Sequence, residues 1–455
     1  NYSEGLLTHR IAENGFIPIG TYAEFQLINA NSTTLAGKYK LEDDLDLMNE
    51  EWIPIGVHSS NDGDSGNNVF KGVFDGGNYE ITNLKITKPS NLNLLIGLFG
   101  NADSRLSEKP SEIYNVNLRS GHISININDN LLGVNIGTVV ANGNIVSNCT
   151  SNVEINIQSS GSSFGVNSVA GIAAQLTSKN NQEATLSNCH NYGNITITGS
   201  RNFTGMIAGV VAITSNNTSN GYNYVYNITN CSNNGNITIS ESKTHTSVGG
   251  IVAVNSDPFS FKGIISNCVN KGNIEFNNAN TNTSVIEIGG ISGSSFQIKS
   301  SKNYGKITGT GTAPIAFVGG ISGRVGIVTD CMNYGDIETN AEITGGIAGQ
   351  IQAYRSQIVC VGNANYGNIK GTKSVGGIVG RSFSYDGGSS NPIDLYFLAC
   401  ANKGKVTGYE TVGGILGRVD SYIKINNSYN TGEINGFTNP QGSDLGTNVG
   451  GIVGL

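Results

Sequence analysis

The sequence predicts an all-β solenoid, and three observations carry the prediction. A motif of the form Asn-Cys-x-Asn-x-Gly-x-Ile, then a variable gap, then Val-Gly-Gly-Ile-x-Gly, recurs in nine copies in the same order. Apolar residues within a copy alternate with polar ones, as in Asn194-Ile195-Thr196-Ile197-Thr198, which is the period of a strand and not of a helix. Glycine makes up 63 of the 455 residues and recurs at fixed repeat positions. A unit this short cannot bury its own apolar face, so the copies must stack.

The first half of the motif falls at Cys149, Cys189, Cys231, Cys268, Ser301, Cys331, Asn363, Cys400 and Ser428. Spacing between these positions runs from 28 residues (Cys400 to Ser428) to 42 (Cys189 to Cys231). Each copy is predicted to be one coil of strands and turns, paired in parallel with its neighbours. The gap takes up the length variation as loops, at small cost in closure entropy. Gly335, Gly367 and Gly404 follow an Asn-x pair, where a tight turn calls for positive φ. Gly345-Gly346 and their equivalents lie beside an inward Ile347, where strands approach closely.

In chain order, residues 1–50 read as an N-terminal cap with the first strands. Thr21-Tyr22-Ala23-Glu24 has capping-box spacing. Phe25 and Ile28 form one apolar edge of a short helix, and Tyr39-Lys40-Leu41 and Leu45–Leu47 read as strands. A cap is needed because an open solenoid end invites edge pairing. Residues 51–140 read as irregular early coils with a polar loop at Asn61–Asn67, and 141–455 as regular repeats of one continuous solenoid. The chain stops at Leu455 inside a repeat motif, which predicts that more chain follows or that another chain covers this end. No apolar run reaches 18 residues, so no helical membrane span is expected. Charged residues are 13% with a net charge of −7, and without a Lys/Arg cluster this excludes a nucleic-acid binder.

Candidate chemistry is sparse. Six of seven cysteines share one repeat position and Cys360 is out of register. Replacement by Ser301, Asn363 and Ser428 argues against a metal ladder, and side chains at one ladder position suit disulfide torsions poorly. Buried free thiols acting as small core residues are expected, and so many in an exported chain point to a low-oxygen habitat. His9, His58, His122, His190 and His245 form no metal motif. Glu42-Asp43-Asp44-x-Asp46 and Asp62-x-Asp64 read as solvated loop charge, since a calcium loop would need a twelfth-position Glu. No acidic residue recurs in register, although Asp330, Asp336, Glu338 and Glu342 share one copy. No catalytic residue, metal or cofactor is assigned.

The position before the turn glycine holds Tyr304, Tyr334 and Tyr366 on consecutive copies, with Tyr192 earlier and Lys271 and Lys403 on either side. Parallel stacking would set these rings roughly 4.8 Å apart. This aromatic stripe is the candidate binding site. Asn303, Asn333, Asn365, Asn402 and Asn430, two residues before each turn glycine, are expected to form a hydrogen-bonded ladder that satisfies turn backbone.

The repeats Val-Gly-Gly-Ile-Val-Gly (375–380, 449–454) and Val-Gly-Gly-Ile-Leu-Gly (412–417), preceded by Asn-Tyr-Gly-Asn-Ile (365–369), resemble the GLUG motif. That motif occurs in bacterial surface proteins and in the repeat region of IgA-specific metallopeptidases. The N-terminal signature is similar too: Trp52-Ile53-Pro54-Ile55-Gly56, Phe70-x-Gly72-x-Phe74-Asp75-Gly76 and Ile96-Gly97-Leu98-Phe99-Gly100. The resemblance spans roughly residues 20 to 455 and implies a right-handed parallel β-helix. The peptidase motif HExxH is absent from this sequence. The expected function is a non-enzymatic, secreted or cell-surface, adhesin-like bacterial protein that binds a glycan or a surface protein. Two rivals stand beside it: a lyase or hydrolase acting on polysaccharide, and a stalk preceding a catalytic domain.

Overall fold

In a computed structural model the chain folds almost wholly into short parallel strands. The structure describes residues 15–56, 68–88, 94–102, 109–127, 133–159, 166–177, 183–199, 205–215, 226–240, 246–255, 263–278, 285–311, 315–354, 359–385, 394–420, 422–437 and 448–454. Contacts group the chain into two compact units, Asn1–Gly235 and Asn236–Leu455. Each is a parallel β-solenoid.

In the second unit one coil has four sides. Ser322–Thr329 forms the first, Met332–Asn333 the second, Ile337–Thr339 the third and Ile343–Gly345 the fourth, after which Ala348–Tyr354 opens the next coil. Every side pairs in parallel with its counterpart: Val325↔Ile351, Asn333↔Asn365, Ile337↔Ile369 and Thr344↔Val375. The first unit repeats this plan, with Val140↔Ala173, Ser151↔Asn191, Ile155↔Ile195 and Val169↔Ile207.

Alternation along each strand decides what is buried. On the third side Ile337 is buried, Glu338 exposed and Thr339 buried. In-register pairing then turns each inward position into a core column. In the first unit the column runs Tyr39, Phe74, Ile113, Val146, Leu186, Ile228, all at most 1% exposed. In the second it runs Ile265, Ile298, Val328, Cys360, Phe397, again buried throughout. Each large side chain so buried contributes about 1.5–3 kcal/mol, as an upper figure.

The corners correct one expectation. Gly335, Gly367 and Gly404 do not have positive φ; the left-handed residue is the one before the Cys position. Asn148, Asn188, Asn230, Asn267, Ser300, Asp330, Gly362, Ala399 and Asn427 all lie there, with φ between 49° and 66°. Asn and Asp adopt this conformation more readily than other side chains. The turn glycines are required for a different reason: a Cβ on Gly335 would sit 2.0 Å from the Gly305 carbonyl oxygen, and one on Gly367 2.0 Å from that of Gly335.

The glycine pairs behave as expected and reveal a further fit. A Cβ on Gly345 would lie 2.0 Å from the Ala348 oxygen. The second glycine of each pair makes room for the asparagine ladder. A Cβ on Gly320 would be 2.2 Å from Asn333 Cγ, on Gly346 2.4 Å from Asn365 Cγ, and on Gly377 2.4 Å from Asn402 Cγ. The two halves of the motif are therefore the two halves of one lock.

The short N-terminal helix forms where the sequence places it. Thr21 caps a helix at Tyr22–Gln26, its Oγ1 accepting from the Glu24 N–H at 3.3 Å. Glu24 reaches back to the Gly20 N–H at 2.9 Å instead of that of Thr21. Phe25 and Ile28 are fully buried. Phe25 stacks on Trp52 at 5.2 Å and packs against Phe74 at 5.4 Å, while the Trp52 indole donates to the Leu98 carbonyl at 3.0 Å. Lys38–Leu41 and Leu45–Asp46 are strands as expected, but a strand the sequence reading did not give, Ile17–Ile19, comes before them and pairs in parallel with Lys38–Leu41.

Candidate binding face

The tyrosine stripe is set by backbone pairing at the second corner. The amides of Tyr304, Tyr334, Tyr366 and Lys403 donate to Asn270, Asn303, Asn333 and Asn365 carbonyls at 2.7–2.8 Å. This fixes the pitch of the side chains. Tyr304 and Tyr334 stack with centroids 4.8 Å apart and planes at 3°, and Tyr334 and Tyr366 at 4.7 Å and 8°. Lys403 Nζ lies 4.9 Å from the Tyr366 centroid, closing the stack with a cation. The rings are 46%, 38% and 38% exposed.

This geometry decides what the stripe offers. Both faces of Tyr334 are covered by its neighbours, and Tyr366 is covered by Tyr334 and Lys403. What remains open is ring edge and hydroxyl, with the Tyr304 face turned away from Tyr334. The Tyr334 phenol is raised above its ordinary value by burial and by the adjacent Tyr366 and Tyr304, so it stays a neutral donor and acceptor at pH 7. Its hydroxyl lies 3.3 Å from Met332 Sδ.

Beneath the stripe runs the asparagine ladder. Asn303 Nδ2 donates to the Gly305 carbonyl at 2.9 Å and to Asn333 Oδ1 at 2.8 Å. Asn333, Asn365 and Asn402 repeat both bonds within 2.7–2.8 Å. All four are fully buried, so each amide is satisfied where water cannot reach.

Beyond the turn glycines lies a shallow hollow of about 270 Å³, lined by Lys306, Asp336, Glu338, Asn368, Lys370, Lys405 and Thr407 over Ile337 and Ile369. Glu338 bridges Lys370 at 3.1 Å and Lys306 at 3.5 Å, and Lys405 pairs with Glu433 at 3.1 Å. The hydrogen bond from Lys370 and then that from Lys306 hold the Glu338 carboxyl below its usual range. Asp336 accepts from the Asn368 N–H at 2.7 Å, and Asn368 from the Lys405 N–H at 3.1 Å. Hydroxyl edges and a rim of paired charges thus lie on adjacent columns.

The other sequence candidates do not converge. Asp336 and Glu338 share the hollow, Asp330 sits at the first corner, and Glu342 pairs with Lys373 at 2.6 Å. Asp44 and Asp46 accept from the Glu80 and Met48 backbone amides at 2.8 and 2.7 Å. Among the described residues no group of three His, Cys, Asp or Glu could hold a metal. His190 Nδ1 meets Ser232 Oγ at 2.8 Å, and burial lowers its pKa. His9, His58, His245, Asp62 and Asp64 lie outside the described residues.

All seven cysteines are buried and unbridged. At the repeat position the thiol bonds the carbonyl two residues back, as in Cys331 to Thr329 at 3.2 Å, and Ser301 does the same to Lys299 at 2.9 Å. Thiol and hydroxyl are interchangeable there because both are small donors. Burial pushes the Cys331 thiol up to about 12, so it is a neutral thiol at pH 7. Sequence reading missed the hollow, because its residues fill the variable places of Gly-x-Ile-x on four successive coils, where the residue type changes from copy to copy.

Fold and face define a repeat protein of the parallel β-solenoid class, with a periodic exposed edge. No protein-family model matches the chain, and no curated protein matches it. Among solved structures it is similar to a crystal structure from Bacteroides ovatus, provisionally named an immunoglobulin A1 protease. That likeness has 14% identity and a TM-score of 0.36, covering 94% of this chain and 86% of the other. No helix among the described residues is long and apolar enough to cross a membrane.

Proposed function

We propose that this chain is a secreted or cell-surface, adhesin-like bacterial protein of the GLUG-repeat kind. It binds an extended glycan or surface protein along the tyrosine stripe without catalysis. The carrying observation is the in-register row of Tyr304, Tyr334 and Tyr366 at 4.7–4.8 Å steps. A linear polymer can meet such a row repeatedly, so that weak contacts add. Because both faces of Tyr334 and Tyr366 are covered, the ligand is held by hydroxyls, ring edges and the outer face of Tyr304, and the charged hollow beside them supplies further polar contacts.

The test is a glycan and surface-protein array with three chains: wild type, a triple Tyr→Phe variant at 304, 334 and 366, and a triple Tyr→Ala variant. Phenylalanine keeps the stack and removes the hydroxyls. Selective binding by the wild type is expected to weaken about tenfold in the Phe variant, the loss of a few neutral hydrogen bonds. Undiminished binding by both variants would move the site off the stripe. An array with no wild-type signal would remove the adhesin reading.

A further inference from the structure

The core column of the second unit contains one residue out of keeping with its neighbours. Val328 and Phe397 flank Cys360 in register, and Cys360 is 1% exposed. On that coil the usual Cys position is taken by Asn363. Its Nδ2 donates to the Val328 carbonyl at 2.9 Å and to Cys360 Sγ at 3.2 Å, and its Oδ1 accepts from the Cys331 N–H at 2.9 Å. The displaced sulfur reappears three residues earlier. It lies 3.7 Å from the Sγ of Cys400, which belongs to the corner of the next coil. Cys400 Sγ also lies 3.4 Å from the Cys360 carbonyl oxygen.

From this contact we propose that Cys360 and Cys400 are a modification site, oxidised by a hydroperoxide to a disulfide that staples two successive coils. The torsional objection to bridging equivalent ladder positions does not apply to this pair. One sulfur comes from mid-strand and the other from a corner, so they meet diagonally. Bonding requires the sulfurs to close from 3.7 Å to about 2.05 Å. The hydrogen bond from Cys360 holds the Cys400 thiol below its ordinary value, while contact with Cys400 and burial raise that of Cys360.

The chemistry balances as follows. One thiolate of the pair attacks the peroxide O–O bond, giving a sulfenic acid and, after protonation, one water. The other thiol condenses with the sulfenic acid, forming S–S and releasing a second water. Two thiols and one hydrogen peroxide become one disulfide and two waters. The bond closes a loop of 40 residues, which restricts the unfolded chain more than the folded one.

The experiment uses the full chain, reduced and then exposed to hydrogen peroxide in native buffer, with peptide mapping under non-reducing conditions. Peptides holding Cys360 and Cys400 are expected joined, lighter by two hydrogens. The melting temperature should rise and return to its starting value on reduction. Cys360→Ser should show neither the link nor the rise. The proposal is overturned if both thiols stay alkylatable after peroxide, if either links instead to another cysteine, or if the bond forms only in denatured chain.

Discussion

At the scale of single residues, the corner before each Cys position sets the rule for what the chain accepts. Eight of these corners carry a side chain in left-handed conformation, and only Gly362 carries none. Asparagine fits; Ala399, at φ 52°, does not. Replacing Ala399 with Asn should stabilise the fold by about 1 kcal/mol, since it relieves a conformation disfavoured for alanine. Ala399 is exposed, so nothing else need move. A urea midpoint unchanged or lowered in Ala399→Asn would contradict this. The left-handed residue is visible in the sequence as a recurrent Asn, yet the expectation of positive φ fell on the glycines of the next corner, five residues on. The cause is physical: glycine serves two needs, conformational freedom and close approach, and a sequence does not distinguish them. Cys360 was legible only as out of register. That its sulfur replaces a missing neighbour depends on the Asn363 side chain turning into the core.

At the scale of the element, the asparagine ladder holds the second corner. Asn333 donates to the Gly335 carbonyl and to Asn365 Oδ1 and accepts from Asn303. Asn333→Ala removes one partner from each of three buried groups, the Gly335 carbonyl, Asn365 Oδ1 and Asn303 Nδ2, and should cost about 2–4 kcal/mol. Chemical denaturation would refute the ladder's importance if the loss were under about 1 kcal/mol. The same change would leave the tyrosine rings on coils whose spacing is no longer pinned from beneath. This ladder was legible from spacing alone, because Asn to turn glycine is always two residues. The glycine lock was not. From Gly320 to Asn333 is 13 residues and from Gly377 to Asn402 is 25, so the two halves keep no common distance. The hollow is harder still: its residues share two repeat positions, but those are the variable ones, so nothing in the motif marks their charges as partners.

At the scale of the whole molecule, each unit is a stack in which a coil meets only its neighbours, so local changes stay local. The sequence already records where length is tolerated. The interval between glycine pair and asparagine varies, whereas Asn303–Ile307, Asn333–Ile337, Asn365–Ile369 and Asn430–Ile434 keep one length. A six-residue Gly/Ser insertion between positions 354 and 359 should therefore cost less than about 1 kcal/mol. One residue inserted between Gly335 and Ile337 should unfold its coil, because a slip of one sends the core side chains outward. Equal melting temperatures for the two insertions would be incompatible with this division. The lock also bears on how such a gene grows and shrinks. A duplication whose two breakpoints fall at different phases of the repeat would pass on a gap with nothing to fill it, or an amide with nowhere to go. Breakpoints at equivalent positions of two copies leave every glycine pair followed by its asparagine, so recombination there adds or removes a coil without a mismatch for selection to purge.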